Sequence, residues 1–263
     1  MALDFVEHLR IETARLGNVL RAADPAAPVP TCPEWSADDL LWHMCGGVFY
    51  FWEAIVRNRV TDDTGAEEVD ARTPERPADH SGLMDLYERA REALIASLEQ
   101  VGDDEPIWTW SSDHTGGFIK RRMAQEALIH RVDAEATVAE LSPVDAALAT
   151  DGILEGLQYF WGGTPSWATW TPDGPIGRLH TTDTGARWSF RLGWVAGTSP
   201  GGTRYEHEPA LELVDSGEPS FTVSAPAADL DLWLWNRPAG TEPAVEGSAA
   251  DFERLKEVIG SGV

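Results

Sequence analysis

The sequence predicts an α+β protein, in which a helical amino-terminal half precedes a smaller half that mixes strands and helices. Long apolar stripes with helical spacing occupy the first half of the chain. After about residue 148, glycine, proline, threonine and tryptophan become frequent, and short strand-like runs replace the helical stripes. With 263 residues, 43% of them hydrophobic, the chain is long enough for two domains. We therefore expect a helical domain over residues 1–148 and an α/β domain over residues 149–263.

Four helices are predicted in the first half. The first covers residues 3–23, and the second runs from about residue 37 to 58 after Ser36, which is a favourable N-cap. The third covers about 83–98, and the fourth covers about 119–141 and is ended by Ser142 and Pro143. The acidic segment 60–80 predicts a solvated loop between the second and third helices. Four helices joined in this way predict a four-helix bundle.

The second half shows the pattern of a small sheet with helices. Turn signals separate four short runs that predict strands, at residues 177–182, 187–192, 210–214 and 220–225. Helical patterns follow at residues 227–235 and 249–259. This half therefore predicts a compact α/β domain.

The charge of the chain restricts its partners. The net charge of −24, from 44 acidic and 20 basic residues, repels nucleic acids and anionic lipid surfaces. No apolar run approaches the roughly 20 residues that a membrane span needs, and the amino terminus lacks the features of a secretory signal. Only two cysteines are present, which fits reduced thiols. We expect a soluble, cytoplasmic monomer or homodimer without nucleic-acid or membrane partners.

Two histidines and a glutamate form the candidate catalytic set. Glu126 and His130 are four residues apart on the fourth predicted helix, so their side chains share one face. His43, on the second helix, would complete a set of three ligands that leaves a fourth metal position open, as in catalytic zinc sites. The alternative is that these residues bind no metal. A glutamate followed four residues later by a histidine arises by composition alone, and most histidines on helices are not metal ligands.

Four longer motifs are distributed over both halves of the chain. Two lie in the predicted helical domain: Cys32-Pro33-x-Trp35-Ser36 leading to Asp39-Leu40-x-x-His43, and Arg121-Arg122-Met123-Ala124-x-Glu126-x-x-x-His130-Arg131-x-Asp133-Ala134-Glu135. Two lie in the second half: Ala228-Asp229-Leu230-x-Leu232-Trp233-Leu234-Trp235-x-Arg237, and Val245-Glu246-Gly247. The first two motifs resemble the mycothiol-dependent maleylpyruvate isomerase family of the DinB-like superfamily, and the last two look like the smaller carboxy-terminal domain of that family. The resemblance implies a DinB-like bundle followed by a sterol-carrier-like α/β domain.

The resemblance also implies particular roles for residues. His43, Glu126 and His130 match the metal ligands of the family. Gln125 departs from the pattern, because relatives often carry a histidine there; the three ligands are intact and only their surroundings change. Arg237 best matches an arginine that the family uses near its active site, although an arginine followed by proline could equally cap a helix end.

The implied chemistry uses a divalent metal, zinc by default, and mycothiol as a thiol cosubstrate. Nickel, cobalt or iron would accept the same nitrogen and oxygen ligands. A metal-bound thiol loses its proton and can attack an electrophilic small molecule. If the sulfur stays, the enzyme is an S-transferase; if it adds to a cis double bond, allows rotation and leaves, the enzyme is a cis–trans isomerase. A metal-dependent hydrolase and a non-catalytic binding or regulatory protein remain alternatives.

Cationic side chains are needed if the substrate is a dianion such as maleylpyruvate. Arg121 and Arg122 are candidates for binding mycothiol and, with Arg131 and Arg237, for binding the substrate. At least two of these arginines are expected instead to pair with acidic side chains of neighbouring helices. Asp133 is one turn beyond His130, where it could orient that histidine or an arginine.

Overall fold

A computed structural model describes residues 3–261, which form two compact units. The first unit ends at Pro143 and the second begins at Val144. Helices make up most of the first unit, whereas the second contains a five-stranded sheet with helices. The α+β class predicted from the sequence is therefore confirmed. The expected boundary after residue 148 falls within the first helix of the second unit.

The first unit contains the four predicted long helices. Its helices are α1 (Phe5–Ala22), α2 (Ala37–Trp42), a π-helical segment (His43–Tyr50), α3 (Phe51–Arg57), α4 (Asp63–Asp70), α5 (His80–Leu98) and α6 (Gly116–Ala136). The second predicted helix thus continues through α2, the π-helical segment and α3. A short hairpin precedes it, formed by β1 (Pro28–Val29) and β2 (Cys32–Ser36). None of the helices in the described residues is both long enough and apolar enough to cross a membrane.

A capping box starts α2 as the sequence predicts. The Ser36 hydroxyl accepts a hydrogen bond from the Asp39 amide, and the Asp39 carboxylate accepts one from the Ser36 amide. The continuous helix formed by α2, the π-helical segment and α3 buries its apolar stripe, which comprises Leu41, Met44, Val48, Trp52 and Ile55. The wider π-helical winding begins at His43, immediately after α2. Winding of this kind occurs often at functional sites.

Two details of the first unit differ from the prediction. The segment 60–80 is not simply a solvated loop, because it contains α4, which Asp62 caps and which buries Ala66 and Val69. The fourth helix ends at Ala136, and not near residue 141. Ala139 has a positive φ of 55°, a conformation that no α-helix can contain.

The second unit consists of three helices and one sheet. In chain order these are α7 (Ala146–Tyr159), β3 (Ala168–Thr181), β4 (Arg187–Thr198), β5 (Arg204–Val214), β6 (Phe221–Ala225), α8 (Ala227–Leu234), β7 (Ala244–Gly247) and α9 (Ala249–Ser261). The strand order is β5-β4-β3-β6-β7, in which β3 and β6 are parallel and the other neighbours are antiparallel. All four predicted strands and both predicted helices are present, whereas α7 and β7 were not predicted.

Candidate metal centre

Three side chains of the first unit converge on a small volume. His43, Glu126 and His130 each offer one ligand atom, and these atoms lie within 4.8 Å of one another. Nε2 of His43 lies 3.5 Å from Oε1 of Glu126, and Nε2 of His130 lies 3.2 Å from the same oxygen. The two imidazole rings meet edge to face, with their centroids 4.7 Å apart. The set predicted from the sequence is thus brought together.

A buried carboxylate orients His130. Oδ2 of Asp133 lies 2.9 Å from Nδ1 of His130, and the Asp133 side chain is fully buried. Because a carboxylate only accepts hydrogen bonds, this contact holds an imidazole hydrogen on Nδ1, so that Nε2 is the nitrogen that faces Glu126 and can bind a metal when its own proton is lost. Thr31, in the turn of the β1–β2 hairpin, donates to Oδ1 of Asp133 over 2.6 Å. The carboxylate is thereby held from both sides.

Arg122 holds the glutamate of the set. Its Nη2 donates to Oε2 of Glu126 over 2.8 Å, which leaves Oε1 facing the two histidines. Burial disfavours the charged form of Glu126, but the Arg122 charge and the contacts with His130 and His43 outweigh it and hold the pKa of this carboxyl well below its usual range. The glutamate is therefore a carboxylate at neutral pH.

The charged neighbours also act on His130. Burial favours its neutral form, but the hydrogen bonds to Asp133 and Glu126 outweigh burial and raise the pKa of His130 to about 9. Positive charge is thus strongly favoured between these two carboxylates.

An open pocket borders the set at His43. It has a volume of about 470 Å³ and is lined by Glu34, Trp35, Asp39, Trp42, His43 and Gly47. The Trp35 ring forms one wall, with its centroid 4.8 Å from that of His43 and 6.1 Å from that of His130. A pocket of this size accepts a small molecule.

The donor atoms fit a divalent metal ion. Two donors bonded to one tetrahedral zinc are about 3.3–3.5 Å apart, given bond lengths of about 2.0–2.2 Å. The separations of 3.5 and 3.2 Å from Glu126 Oε1 to the two Nε2 atoms match this spacing. Nε2 of His43 is also buried and makes no hydrogen bond within the described residues. Three nitrogen and oxygen donors beside an open pocket leave a position for a further ligand.

The predicted arginines lie in different surroundings. Arg122 contacts Glu126 of the set, as described above, whereas Arg121 lines a separate cavity of about 640 Å³ beside the start of α1. The described lining of that cavity contains none of the three ligand candidates. Arg131 is fully buried and pairs with Glu12 of α1 and Glu135 of α6, at 2.8 and 2.7 Å. Arg131 thus pairs with an acidic side chain of a neighbouring helix as expected, whereas the pair that Arg122 makes with Glu126 lies within its own helix.

Arg237 lies just beyond α8 in the second unit. Its Nη1 donates to the carbonyl of Trp235 over 2.7 Å, which caps the end of that helix. This is the alternative that the sequence left open for an arginine beside a proline.

Neither Thr31 nor the contact of Arg122 with Glu126 was predicted, and Trp35 was noted only as part of the first motif. Trp35 stands in the first motif, and its place just before the N-cap Ser36 was the available signal. Thr31 offered no signal, because its contact joins residues 102 positions apart. The spacing of four between Arg122 and Glu126 could have predicted their pairing.

Known proteins with a similar sequence or fold agree with the resemblance. Residues 6–135 match the sequence model of the mycothiol maleylpyruvate isomerase N-terminal domain. A crystal structure of a mycothiol-dependent maleylpyruvate isomerase, in a variant with one histidine replaced by alanine, is 13% identical, with 94% of each chain covered and a TM-score of 0.60. A further crystal structure of a mycothiol-dependent maleylpyruvate isomerase is 14% identical, with 94% of each chain covered and a TM-score of 0.54.

The sequence match is what identifies the family, because structural likeness at such low identity shows the fold alone. No curated protein sequence gives a significant match. The matched residues include all three ligand candidates, His43, Glu126 and His130. Residues 6–135 therefore belong to the family of mycothiol maleylpyruvate isomerase N-terminal domains.

Proposed function

We propose that this chain is an enzyme that uses a divalent metal and mycothiol to isomerise maleylpyruvate or a closely related cis-unsaturated acid. The family of the amino-terminal domain and the activity named for the two similar structures support this reaction class. The observation that carries the proposal is the convergence of two Nε2 atoms and one carboxylate oxygen beside an open pocket. An S-transferase using the same thiol is the second reading of this chemistry.

His43, Glu126 and His130 would hold the metal, with zinc as the default ion. When bound, the metal would lower the pKa of the mycothiol thiol, and the sulfur nucleophile would supply the reversible addition to a cis double bond that isomerisation requires. Asp133 keeps the hydrogen of His130 on Nδ1, so that Nε2 can act as a ligand. Arg122 fixes Glu126 through Oε2 and leaves Oε1 for the metal.

The pocket residues bind and orient the reactants. Trp35 would form an apolar wall against which the unsaturated part of the substrate packs, close to His43 and His130. Trp42 and Gly47 extend the lining, and Gly47 leaves space beside the imidazole because it has no side chain. These residues favour a flat small molecule over a polymer.

The test is a turnover assay with zinc-loaded protein, mycothiol and maleylpyruvate, followed by nuclear magnetic resonance of the products. We expect isomerisation that requires both metal and thiol and returns mycothiol unchanged. His43→Ala should abolish activity and metal binding. The matched control is His80→Ala, because His80 also contacts an aspartate, Asp38, but lies outside the set.

The alternatives give different results in the same assay. Accumulation of a stable thioether would favour an S-transferase. Hydrolysis of a substrate without any thiol would favour a metal-dependent hydrolase. Metal binding without turnover or thiol affinity would favour a binding or regulatory protein.

The resemblance also gives a role to Arg237, which we propose as a further active-site residue. An Arg237→Ala variant with lost activity and an unchanged melting temperature would support this role. Retained activity would leave Arg237 as a helix cap, which its hydrogen bond to the Trp235 carbonyl already explains.

A further inference from the structure

The pocket beside the metal set is lined by acidic side chains. Glu34 and Asp39 line it directly, and the carboxylate of Glu126 lies behind His43. A substrate with carboxylates would be repelled by these groups. A pocket that accepts such a substrate therefore needs a cation that can reach it.

The arginines of α6 cannot readily supply this cation. The side chains of Arg122 and Arg131 are only 5% and 0% exposed. Arg122 pairs with Glu126, which is 23% exposed. Arg131 pairs with the buried Glu12 and Glu135. Turning either guanidinium outward would leave a buried or partly buried carboxylate without compensation, which is unfavourable. Arg121 lines the other cavity.

Arg76 is an exposed cation that contacts the wall of the pocket. It lies in the segment 71–79 between α4 and α5, and its Nη1 donates to Oδ1 of Asp39 over 2.6 Å. The Arg76 side chain is 40% exposed, and Nε and Nη2 make no hydrogen bond to any of the described residues. A guanidinium has five donor hydrogens, so the bond to Asp39 leaves donors for a second carboxylate.

Asp39 fixes the position of this guanidinium relative to the metal set. The amide of His43 donates to the Asp39 carbonyl, so the two residues are one helical turn apart and on the same face. Oδ2 of Asp39 also accepts hydrogen bonds from the amide and the hydroxyl of Ser36. The bonds from Ser36, followed by those from Arg76, lower the pKa of Asp39 to about 2, so the carboxylate is charged at neutral pH.

We propose that Arg76 binds a carboxylate of the electrophilic substrate at the mouth of the pocket, and that Asp39 positions the guanidinium for this contact. The identity of the electrophile rests on the proposed function. The substrate class follows from the position of Arg76 on the pocket wall: an unsaturated acid with a carboxylate that reaches this guanidinium. Arg76 would add no affinity for an electrophile without a carboxylate.

The experiment compares Arg76→Gln with Arg72→Gln. Arg72 is a matched control, because it lies in the same segment, loses the same charge, and pairs at the surface with Glu68 over 3.2 Å. The hydrogen bond that its carbonyl accepts from Tyr50 would survive the substitution. The readouts are the KM for maleylpyruvate, the KM for mycothiol, kcat, and the calorimetric Kd of metal-loaded protein for maleate.

We expect Arg76→Gln to raise the KM for maleylpyruvate and the Kd for maleate by about 10- to 100-fold, the effect of losing a charge-assisted hydrogen bond. The KM for mycothiol and the melting temperature should not change, and Arg76→Lys should restore part of the maleate affinity. Arg72→Gln should match the wild type in every readout.

The possible failures are distinguishable. Unchanged maleate affinity in Arg76→Gln would overturn the inference even if the wild type isomerises maleylpyruvate, and so would wild-type protein that binds no maleate. An equal loss of mycothiol and maleate affinity together with a lower melting temperature would indicate a purely structural role and would also overturn it. Arg76-dependent binding of maleate without turnover would leave the inference standing and refute the proposed reaction.

Discussion

Replacing Asp133 by asparagine should weaken metal binding by about 10- to 100-fold, which corresponds to about 1.4–2.7 kcal/mol. The Asp133 side chain is fully buried, and its Oδ2 lies 2.9 Å from Nδ1 of His130. An amide can turn its NH2 group toward Nδ1, which would move the imidazole hydrogen to Nε2, the atom 3.2 Å from Glu126. A protonated Nε2 cannot bind a metal. The loss therefore follows from the tautomer, with the side-chain volume nearly unchanged.

The assay is a competition titration of zinc between the protein and a chromophoric chelator. Asp38→Asn is the matched control, because Asp38 makes the same kind of contact with Nδ1 of His80, at 2.6 Å, outside the metal set. Melting curves of the metal-free proteins separate loss of affinity from loss of folding. Wild-type affinity in a folded Asp133→Asn variant would refute the assignment of Asp133 as the residue that sets the tautomer.

Three further predictions concern stability and reactivity. Arg131→Met should destabilise the first unit by about 3–5 kcal/mol and lower its melting temperature by about 10 °C, because two buried glutamates lose their cation. Burial raises the pKa of Cys45 to about 12, so at pH 8 iodoacetamide should label Cys32, which is partly exposed, and spare Cys45 in the folded protein. Asp39→Asn should cost about 1 kcal/mol at neutral pH, because the capping box loses its charged acceptor, which also pairs with Arg76. The lowered pKa of Asp39, about 2, makes this stabilisation fully present above pH 3.8 and lost as the pH falls to 2.

Calorimetry measures the stability of Arg131→Met. Mass spectrometry of labelled protein counts the alkylated cysteines. Urea unfolding between pH 7 and 2 measures the stability of Asp39→Asn. An Arg131→Met protein as stable as the wild type would show that the buried ion pairs do not need their arginine. Equal labelling of both cysteines in folded protein would contradict the burial of Cys45, with the unfolded chain as the control that accepts two labels. A stability difference between Asp39→Asn and wild type that persists unchanged down to pH 2 would contradict the role of the carboxylate charge.

Local patterns predicted most elements of the fold. The cap at Ser36 and the apolar stripes of α1 and α5 were strong signals, because each depends on residues close in sequence. The helix α4 was missed because its buried stripe consists of Ala66 and Val69 only. The helix α7 was missed because Gly156 weakens the helical pattern, although a Cβ there would lie 2.1 Å from the Trp161 ring. That glycine serves a close packing contact, which sequence periodicity does not report.

The site could be predicted in part. The spacing of Glu126 and His130 predicts that they share a face, but their approach to His43 depends on how the helices pack. The same limit applies to Trp35, whose ring lies beside both imidazoles through tertiary contacts. Only the family resemblance linked the two histidine-bearing motifs before the structure did.

The most direct test of the account is a calorimetric titration of mycothiol into zinc-loaded protein, in two buffers that differ in ionisation enthalpy. The account predicts binding that requires zinc and releases about one proton per thiol at neutral pH. Metal-free protein and His43→Ala should show no such binding. Equal thiol binding with and without zinc, or none to the zinc-loaded protein, would contradict the claim that His43, Glu126 and His130 form a thiol-activating metal centre.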